Sequence, residues 1–195
     1  FSWTPETLTF PEILQLAGQV PLPPYIKRIA EETDSTRYQT VYARESGSVA
    51  APTAGLHFTP ELLARIREAG VDIREVELVV GLDTFQPISA ENPLDHVIHT
   101  ESYRVPVETF DACASARERG GRVIAIGTTA TRALESAATF GELQGRTNLF
   151  ITPGYEWKVV DLMLTNFHMP RTTLLLMVES FIGVKWREIY SEAIA

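Results

Sequence analysis

Arg122-Val123-Ile124-Ala125-Ile126-Gly127-Thr128-Thr129-Ala130-Thr131-Arg132-Ala133-Leu134-Glu135 is the stretch on which the fold turns. Its apolar, β-branched start predicts a short buried strand over 122–126. Gly127-Thr128-Thr129 predicts a turn, and a helix is expected from about Ala130 to Ala138. Immediately upstream, Val107 to Arg119 has helical composition, with Gly120-Gly121 as its stop. A helix, a strand and a helix in succession make one α/β unit.

The pattern repeats on either side. Thr59-Pro60 opens a helix through a hydroxyl cap and a proline at the first helical position, with Leu62, Leu63, Ile66 and Ala69 on one face and Gly70 at its end. Val71 to Val80 then alternates apolar and charged residues, as a strand does. Further strands are expected at Tyr38–Ala43, Leu149–Ile151 and Trp157–Val160, the last two flanking a Pro153-Gly154 turn. Pro11 to Ala17 reads as a helix closed by Gly18, and Pro21-Leu22-Pro23-Pro24 as an extended turn. Leu174 to Phe181 is apolar on nearly all sides, a buried helix or strand, and Trp186 to Ala195 is helical. The fold class expected is α/β, an α+β mixed sheet with helices.

The 195 residues, 45% hydrophobic and 22% charged, suffice for a sizeable core. No run approaches the ~20 apolar residues of a membrane span, and no signal peptide opens the chain, so a cytoplasmic location is expected. Cys113, the single cysteine, excludes an intrachain disulfide framework and reads as a small apolar residue. The net charge of −8 argues against an evenly basic surface. Two local groups of cations, Lys27, Arg28, Arg37 and Arg44, then Arg117, Arg119, Arg122 and Arg132, leave room for a basic face. The chain lacks an initial Met and stops inside its last helix, so a fragment is expected.

Four stretches combine hydroxyls, glycines and ionisable groups near strand ends, where α/β folds place their sites. The first is Ala51-Pro52-Thr53-Ala54-Gly55-Leu56-His57-Phe58-Thr59, whose His57 precedes a helix start; it faces a ligand or is simply a hydrogen-bonded loop histidine. In the second, His96, His99 and Glu101 suit proton transfer better than metal binding, because the spacing is not the helical pair of metalloproteases and no further ligand is near. In the third, Gly127-Thr128-Thr129 with Arg132 and Glu135 is either an anion or hydroxyl cradle or a plain helix cap with a surface Arg132 to Glu135 pair. The fourth, Leu164-Thr165-Asn166-Phe167-His168-Met169-Pro170-Arg171-Thr172-Thr173, packs polar groups densely between apolar runs, as a ligand site or a capping turn would.

At these segments the sequence resembles the S-adenosylmethionine:tRNA ribosyltransferase-isomerase family. The runs that carry the resemblance are Val20-Pro21-Leu22-Pro23-Pro24-Tyr25-Ile26-Lys27-Arg28, Arg37-Tyr38-Gln39-Thr40-Val41-Tyr42-Ala43 and Gly47-Ser48-Val49-Ala50-Ala51-Pro52-Thr53-Ala54-Gly55-Leu56-His57-Phe58. They continue with Val80-Gly81-Leu82-Asp83-Thr84-Phe85, His96-Val97-Ile98-His99-Thr100-Glu101, Gly127-Thr128-Thr129 with Arg132-Ala133-Leu134-Glu135, and Pro153-Gly154-Tyr155 through Thr165-Asn166-Phe167-His168. They stand in family order over nearly the whole chain.

The resemblance implies transfer of the ribosyl part of S-adenosylmethionine to 7-aminomethyl-7-deazaguanine at the wobble position of tRNA. The product is epoxyqueuosine, and adenine and methionine leave. S-adenosylmethionine is then a consumed substrate, with no cofactor and no metal. The resemblance also implies roles: His99 or His96 as base, Glu101 orienting it, and His57 as a further catalytic group. Thr53, Gly55, Gly127, Thr128, Thr129, Arg132, Thr165, Asn166 and His168 would hold substrate. Lys27, Arg28 and Arg37 would meet tRNA, with a monomer expected and no membrane partner. It further implies a main domain over 21–195, with 1–20 as the remnant of, or link from, an inserted β-rich barrel domain largely missing here, as is the family's aromatic tail. Asp83 stands where the family has glycine, and Arg171-Thr172-Thr173 where Ser-Thr is usual. Two alternatives follow: a divergent, non-catalytic relative binding nucleic acid or a similar ligand, and a methyltransferase. The second lacks its glycine-rich turn and acidic ribose anchor, and release of adenine separates the main reading from both.

Overall fold

The computed structural model of the chain describes residues 7–23, 25–44, 48, 50–81, 88 and 90–195. Among them lie helices α1 (Phe10–Ala17), α2 (Asp34–Arg37) and α3 (Pro60–Glu68), strands β1 (Glu77–Val79) and β2 (Glu101–Arg104), helix α4 (Val107–Glu118), strand β3 (Ile124–Ile126) and helix α5 (Gly127–Phe140). Strands β4 (Gln144–Thr147) and β5 (Leu162–Leu164) and helices α6 (Thr173–Ile182) and α7 (Trp186–Ile194) complete the order. Antiparallel β1-β2-β4 form one sheet and parallel β3-β5 a second. Asp83 and the run Leu82–Phe85 around it, with Gly47, Val49 and Pro24, lie outside the described residues.

The helix α5 joins the two sheets, touching β1 and β4 of one and β3 and β5 of the other. Its sequence explains why it can. Ala133 and Ala137 are almost fully buried, and such small side chains let strands approach the helix axis closely. Leu134 packs with Leu78, Val80, Tyr103, Val105, Val123, Val159 and Val160 in the core around it. Burial of each large apolar side chain stabilises the fold by roughly 1.5–3 kcal/mol.

Two charged residues of α5 are buried as well, and each is satisfied by a different part of the chain. Glu135, fully buried, accepts four hydrogen bonds: from the Tyr155 hydroxyl (2.9 Å) and the Lys158 amide (2.9 Å) on Oε2, and from the Val159 (2.9 Å) and Val160 (2.8 Å) amides on Oε1. A carboxylate so deep is tolerated only when its lone pairs are matched in this way. Thr139 donates to the Tyr155 oxygen in turn (2.9 Å), and burial, with Glu135 assisting, pushes the Tyr155 phenol up from its ordinary pKa. The chain leaving this nest enters β5, whose start is fixed by Asp161. Its carboxylate accepts the Val123 amide (2.8 Å), while the Asp161 and Leu162 amides both donate to the Val123 carbonyl (3.0 Å each).

Most predicted helices stand. Thr59 caps α3 by accepting the Leu62 amide (3.2 Å), the 107–119 helix is α4, and the apolar run near the end is a helix, α6, with Leu175, Met177 and Val178 buried. The Pro153-Gly154 turn forms, closed by the Tyr155 amide on the Thr152 carbonyl (3.0 Å). The strands fare differently. Tyr38–Ala43 is a turn region, because Thr40 and Tyr42 are used to pack on Gly55 instead of on a ladder. Leu149–Ile151 and Trp157–Val160 are not strands: the Lys158, Val159 and Val160 amides are taken by Glu135, and the ladders form at 144–147 and 162–164. Only residues 77–79 of the 71–80 segment pair. The 122–126 strand is not buried on both faces, since β3 pairs with β5 alone and Ile124 is 50% exposed. Parallel and antiparallel pairings are both present, in two small sheets. The Gly-Thr-Thr segment is the first turn of α5 and not a separate loop.

No helix among the described residues is long and apolar enough to cross a membrane. Replacing Glu135 by Gln turns two of its four accepting positions into donors that face other donors. The expected loss is on the order of 2–4 kcal/mol, read as a lower denaturant midpoint; an unchanged midpoint contradicts the account of the nest. Gly55→Ala is also expected to destabilise. A Cβ there would run into the Tyr42 hydroxyl and lie 2.8 Å from Thr40 Cγ2, an overpacking worth about 1–3 kcal/mol by the same measurement.

Candidate active site

The last residues of the parallel strands, Ile126 and Leu164, are register partners. Gly127-Thr128-Thr129 and Thr165-Asn166-Phe167-His168 therefore leave the sheet side by side at its carboxyl edge, the place where α/β folds bind ligands. Gly127 has φ +90°, the left-handed region that glycine tolerates without strain. Against this start of α5 packs the 3₁₀ turn Thr53–His57. The turn delivers His57, whose Nε2 lies 2.9 Å from Asn166 Oδ1. Three of the four polar stretches thus meet at one edge. With the amide oxygen accepting, Nε2 carries the proton and Nδ1 of the exposed His57 ring is left as the basic nitrogen.

The remaining stretch, His96 to Glu101, joins through Arg132, one turn further along α5. The residue is buried, 8% exposed. Nη1 is paired with Glu101, and Nη2 donates to the carbonyls of His99 (3.0 Å) and Thr147 (3.3 Å). Glu101, the first residue of β2, also accepts the Gly81 amide (3.2 Å). Burial lowers the Arg132 pKa while Glu101 opposes the shift, and a guanidinium still remains charged. Its Nε is buried without a hydrogen-bond partner among the described residues. Expected to grip substrate, Arg132 has its outer nitrogens committed to the protein and Nε left over; expected to orient a histidine, Glu101 holds Arg132, which in turn holds the His99 main chain.

His96, His99, Glu101, Thr128, Thr129 and Arg132 line a common cleft, with Leu78, Val80, Ile98, Leu174 and Met177 as its apolar side. The His96 ring lies edge-on to Phe150, 6.1 Å between centroids. Among the described residues no group of three His, Cys, Asp or Glu side chains gathers as metal ligands.

The other site candidates have local structural partners. Thr53 begins the 3₁₀ turn, half-buried, and Gly55 is buried beneath Tyr42 and Thr40. Thr165 Oγ1 lies 2.9 Å from His168 Nε2, and the His168 amide donates to the Tyr190 hydroxyl (2.9 Å). Tyr190, which no motif suggested, holds this loop; only its spacing of four from Trp186 on one helix face gave a signal. Of the proposed tRNA contacts, Arg28 grips Asp34 with both terminal nitrogens (2.7 and 2.8 Å). Arg28 and the Glu31 amide hold the Asp34 carboxyl down at about 2. Lys27 and Arg37 are exposed. In the second basic group Arg117 is engaged by the Lys158 carbonyl and by Asp161 (3.5 Å).

Burial pulls His168 down to a pKa of about 4, so the ring is neutral at neutral pH and acts as a structural acceptor or donor. The unfolded chain takes up this proton near pH 6.5 and the folded chain only near 4. Stability is therefore complete above 6.5 and falls as the pH drops towards 4, by roughly 3 kcal/mol. Denaturant midpoints between pH 7 and 4.5 are expected to fall less steeply in His168→Gln than in the parent; identical slopes contradict the assignment.

The geometry has parallels in known proteins. The family model described as "Queuosine biosynthesis protein" matches residues 2–195. The S-adenosylmethionine:tRNA ribosyltransferase-isomerase of Trichlorobacter lovleyi is 59% identical over 178 residues, 89% of this chain and 52% of that protein. The enzyme of the same name from Citrifermentans bemidjiense is 53% identical over 93% of this chain and 54% of its own length. A crystal structure of S-adenosylmethionine tRNA ribosyltransferase from Thermotoga maritima superposes with a TM-score of 0.59 at 43% identity, covering 72% of this chain and 45% of that one. The chain spans about half the length of the curated relatives it matches. By sequence and by structure, it belongs to the family of queuosine biosynthesis proteins.

Proposed function

We propose that the protein to which this chain belongs is a cytoplasmic tRNA-modifying transferase-isomerase. It moves the ribosyl moiety of S-adenosylmethionine onto 7-aminomethyl-7-deazaguanine in tRNA, releasing adenine and methionine, with residues 21–195 in its catalytic domain. One observation carries the reading at the level of the site: hydroxyls and histidines from four separate stretches converge around the carboxyl edge of β3 and β5 and the adjoining cleft. The names and identities of the relatives support the same reaction.

The reaction needs a base for the acidic C5′ proton beside the sulfonium, a proton source for departing adenine, and fixed ribose hydroxyls. In this reading His99 is the base, or His96 beside it in the cleft. Arg132 and Glu101 position the His99 main chain. Thr128 and Thr129 bind ribose hydroxyls, and His57, oriented by Asn166, is the second ring able to move a proton. In this reading S-adenosylmethionine lies in the open cleft and reaches towards His57 at the strand edge.

The test is free adenine and modified nucleoside, followed by mass spectrometry after incubating full-length protein with S-adenosylmethionine and tRNA bearing 7-aminomethyl-7-deazaguanine. Both should appear in step. His99→Ala should lower turnover about 100-fold or more at unchanged folding, whereas full turnover in that variant removes His99 from the chemistry. Absence of both products with a folded protein favours the non-catalytic alternative.

A further inference from the structure

Phe167 stands in the middle of the site loop, between Asn166, which holds His57, and His168, which is half-buried, yet Phe167 is itself 63% exposed. It is not loose. The ring meets Tyr190 edge-on at 4.8 Å between centroids, Tyr190 meets Trp186 at 5.4 Å, and the Arg187 guanidinium lies 4.6 Å over the Trp186 ring. The row is anchored at two points, by the His168 amide on the Tyr190 hydroxyl and by Trp186 Nε1 on Glu179 (3.1 Å).

An aromatic ring left largely exposed while packed on one neighbouring ring costs apolar exposure that Ser or Lys at the same position would avoid. What such a surface binds well is another flat π-system, and a cation at the end of the row suits a neighbouring phosphate. Glu188 and Glu192 share helix α7 with Arg187, so phosphate attraction is local and the larger part of binding falls to stacking. An α-helical ligand would ask for a groove, and a duplex would ask for a broad basic face; a row of rings with one cation fits neither.

We propose that Phe167 is a stacking platform for an unpaired base of the RNA substrate, with Tyr190 and Trp186 as its rigid support and Arg187 as a phosphate contact. The proposal rests on the tRNA-modifying reading above and deepens it: it assigns the RNA to the Phe167 side of the strand edge, with S-adenosylmethionine on the cleft side.

Two measurements on the full-length protein test it. In steady-state kinetics, Phe167→Leu keeps the packing against Tyr190 and removes the aromatic face. It should raise the KM for the RNA about tenfold or more and leave the KM for S-adenosylmethionine unchanged, and Phe167→Trp should restore the RNA value. An unchanged RNA KM in Phe167→Leu overturns the proposal. In emission spectra, the tryptophan of Phe167→Trp, taken as the difference from the parent protein, should be solvent-exposed. It should be quenched by a tRNA anticodon stem-loop and not by an RNA duplex of equal length. Emission already characteristic of a buried indole in the free protein, or indifferent to the stem-loop, also overturns it. If the parent releases no adenine, the reaction reading fails, and the emission measurement still decides whether RNA stacks on residue 167.

Discussion

The carboxylate of Glu135 is the constraint around which the rest is arranged. Sunk in the core on α5, it is compatible with folding only if four donors reach it. The chain supplies them from Tyr155 and three successive amides at 158–160. That requirement brings the 155–160 segment against α5 and aims the chain into β5, where Asp161 and the β3 ladder take over. Because β5 runs parallel to β3, the segment that follows it arrives beside the start of α5. The position of Thr165-Asn166-Phe167-His168 is in this sense a consequence of how a buried charge is satisfied.

Arg132, three residues earlier, does the corresponding work on the other side. Glu101, the His99 carbonyl and the Thr147 carbonyl surround it, so it binds the antiparallel sheet and the His96–His99 segment to the same helix. An Arg and a Glu at this spacing read from sequence as an exposed pair on one helix face. Instead each is buried and turned to different partners. Breaking either is costlier than losing a surface pair, since it strands a buried charge.

What was legible in the sequence follows from the range of the forces involved. Helices α3, α4 and α7 could be read because caps, stops and apolar spacing act within a few residues, whereas the all-apolar run 174–181 suits a buried helix or a strand equally well. The four polar stretches could also be picked out, because glycines, hydroxyls and histidines at strand ends are a local pattern. Strands were harder. Val159 and Val160 have strand-forming side chains, but their amides go to Glu135, and no local property of residues 157–160 reveals an acceptor more than twenty positions away. Tyr38–Ala43 failed for a similar reason: Thr40 and Tyr42 cover a glycine in the 3₁₀ turn. The pairing of His57 with Asn166 spans 109 residues and could be stated only once the fold was known. Arg28 shows the converse limit, since a cation that reads as available for phosphate is held by Asp34 six residues on.

We propose that one site, at the carboxyl edge of β3 and β5 and the cleft beside it, serves the whole reaction. A crystal structure of the full-length protein with S-adenosylmethionine bound tests it most directly. In that complex the ribose hydroxyls should lie on Thr128 and Thr129, with the sulfonium between the His99 and His57 rings. A ligand bound away from this edge, touching neither threonine and neither ring, would contradict it.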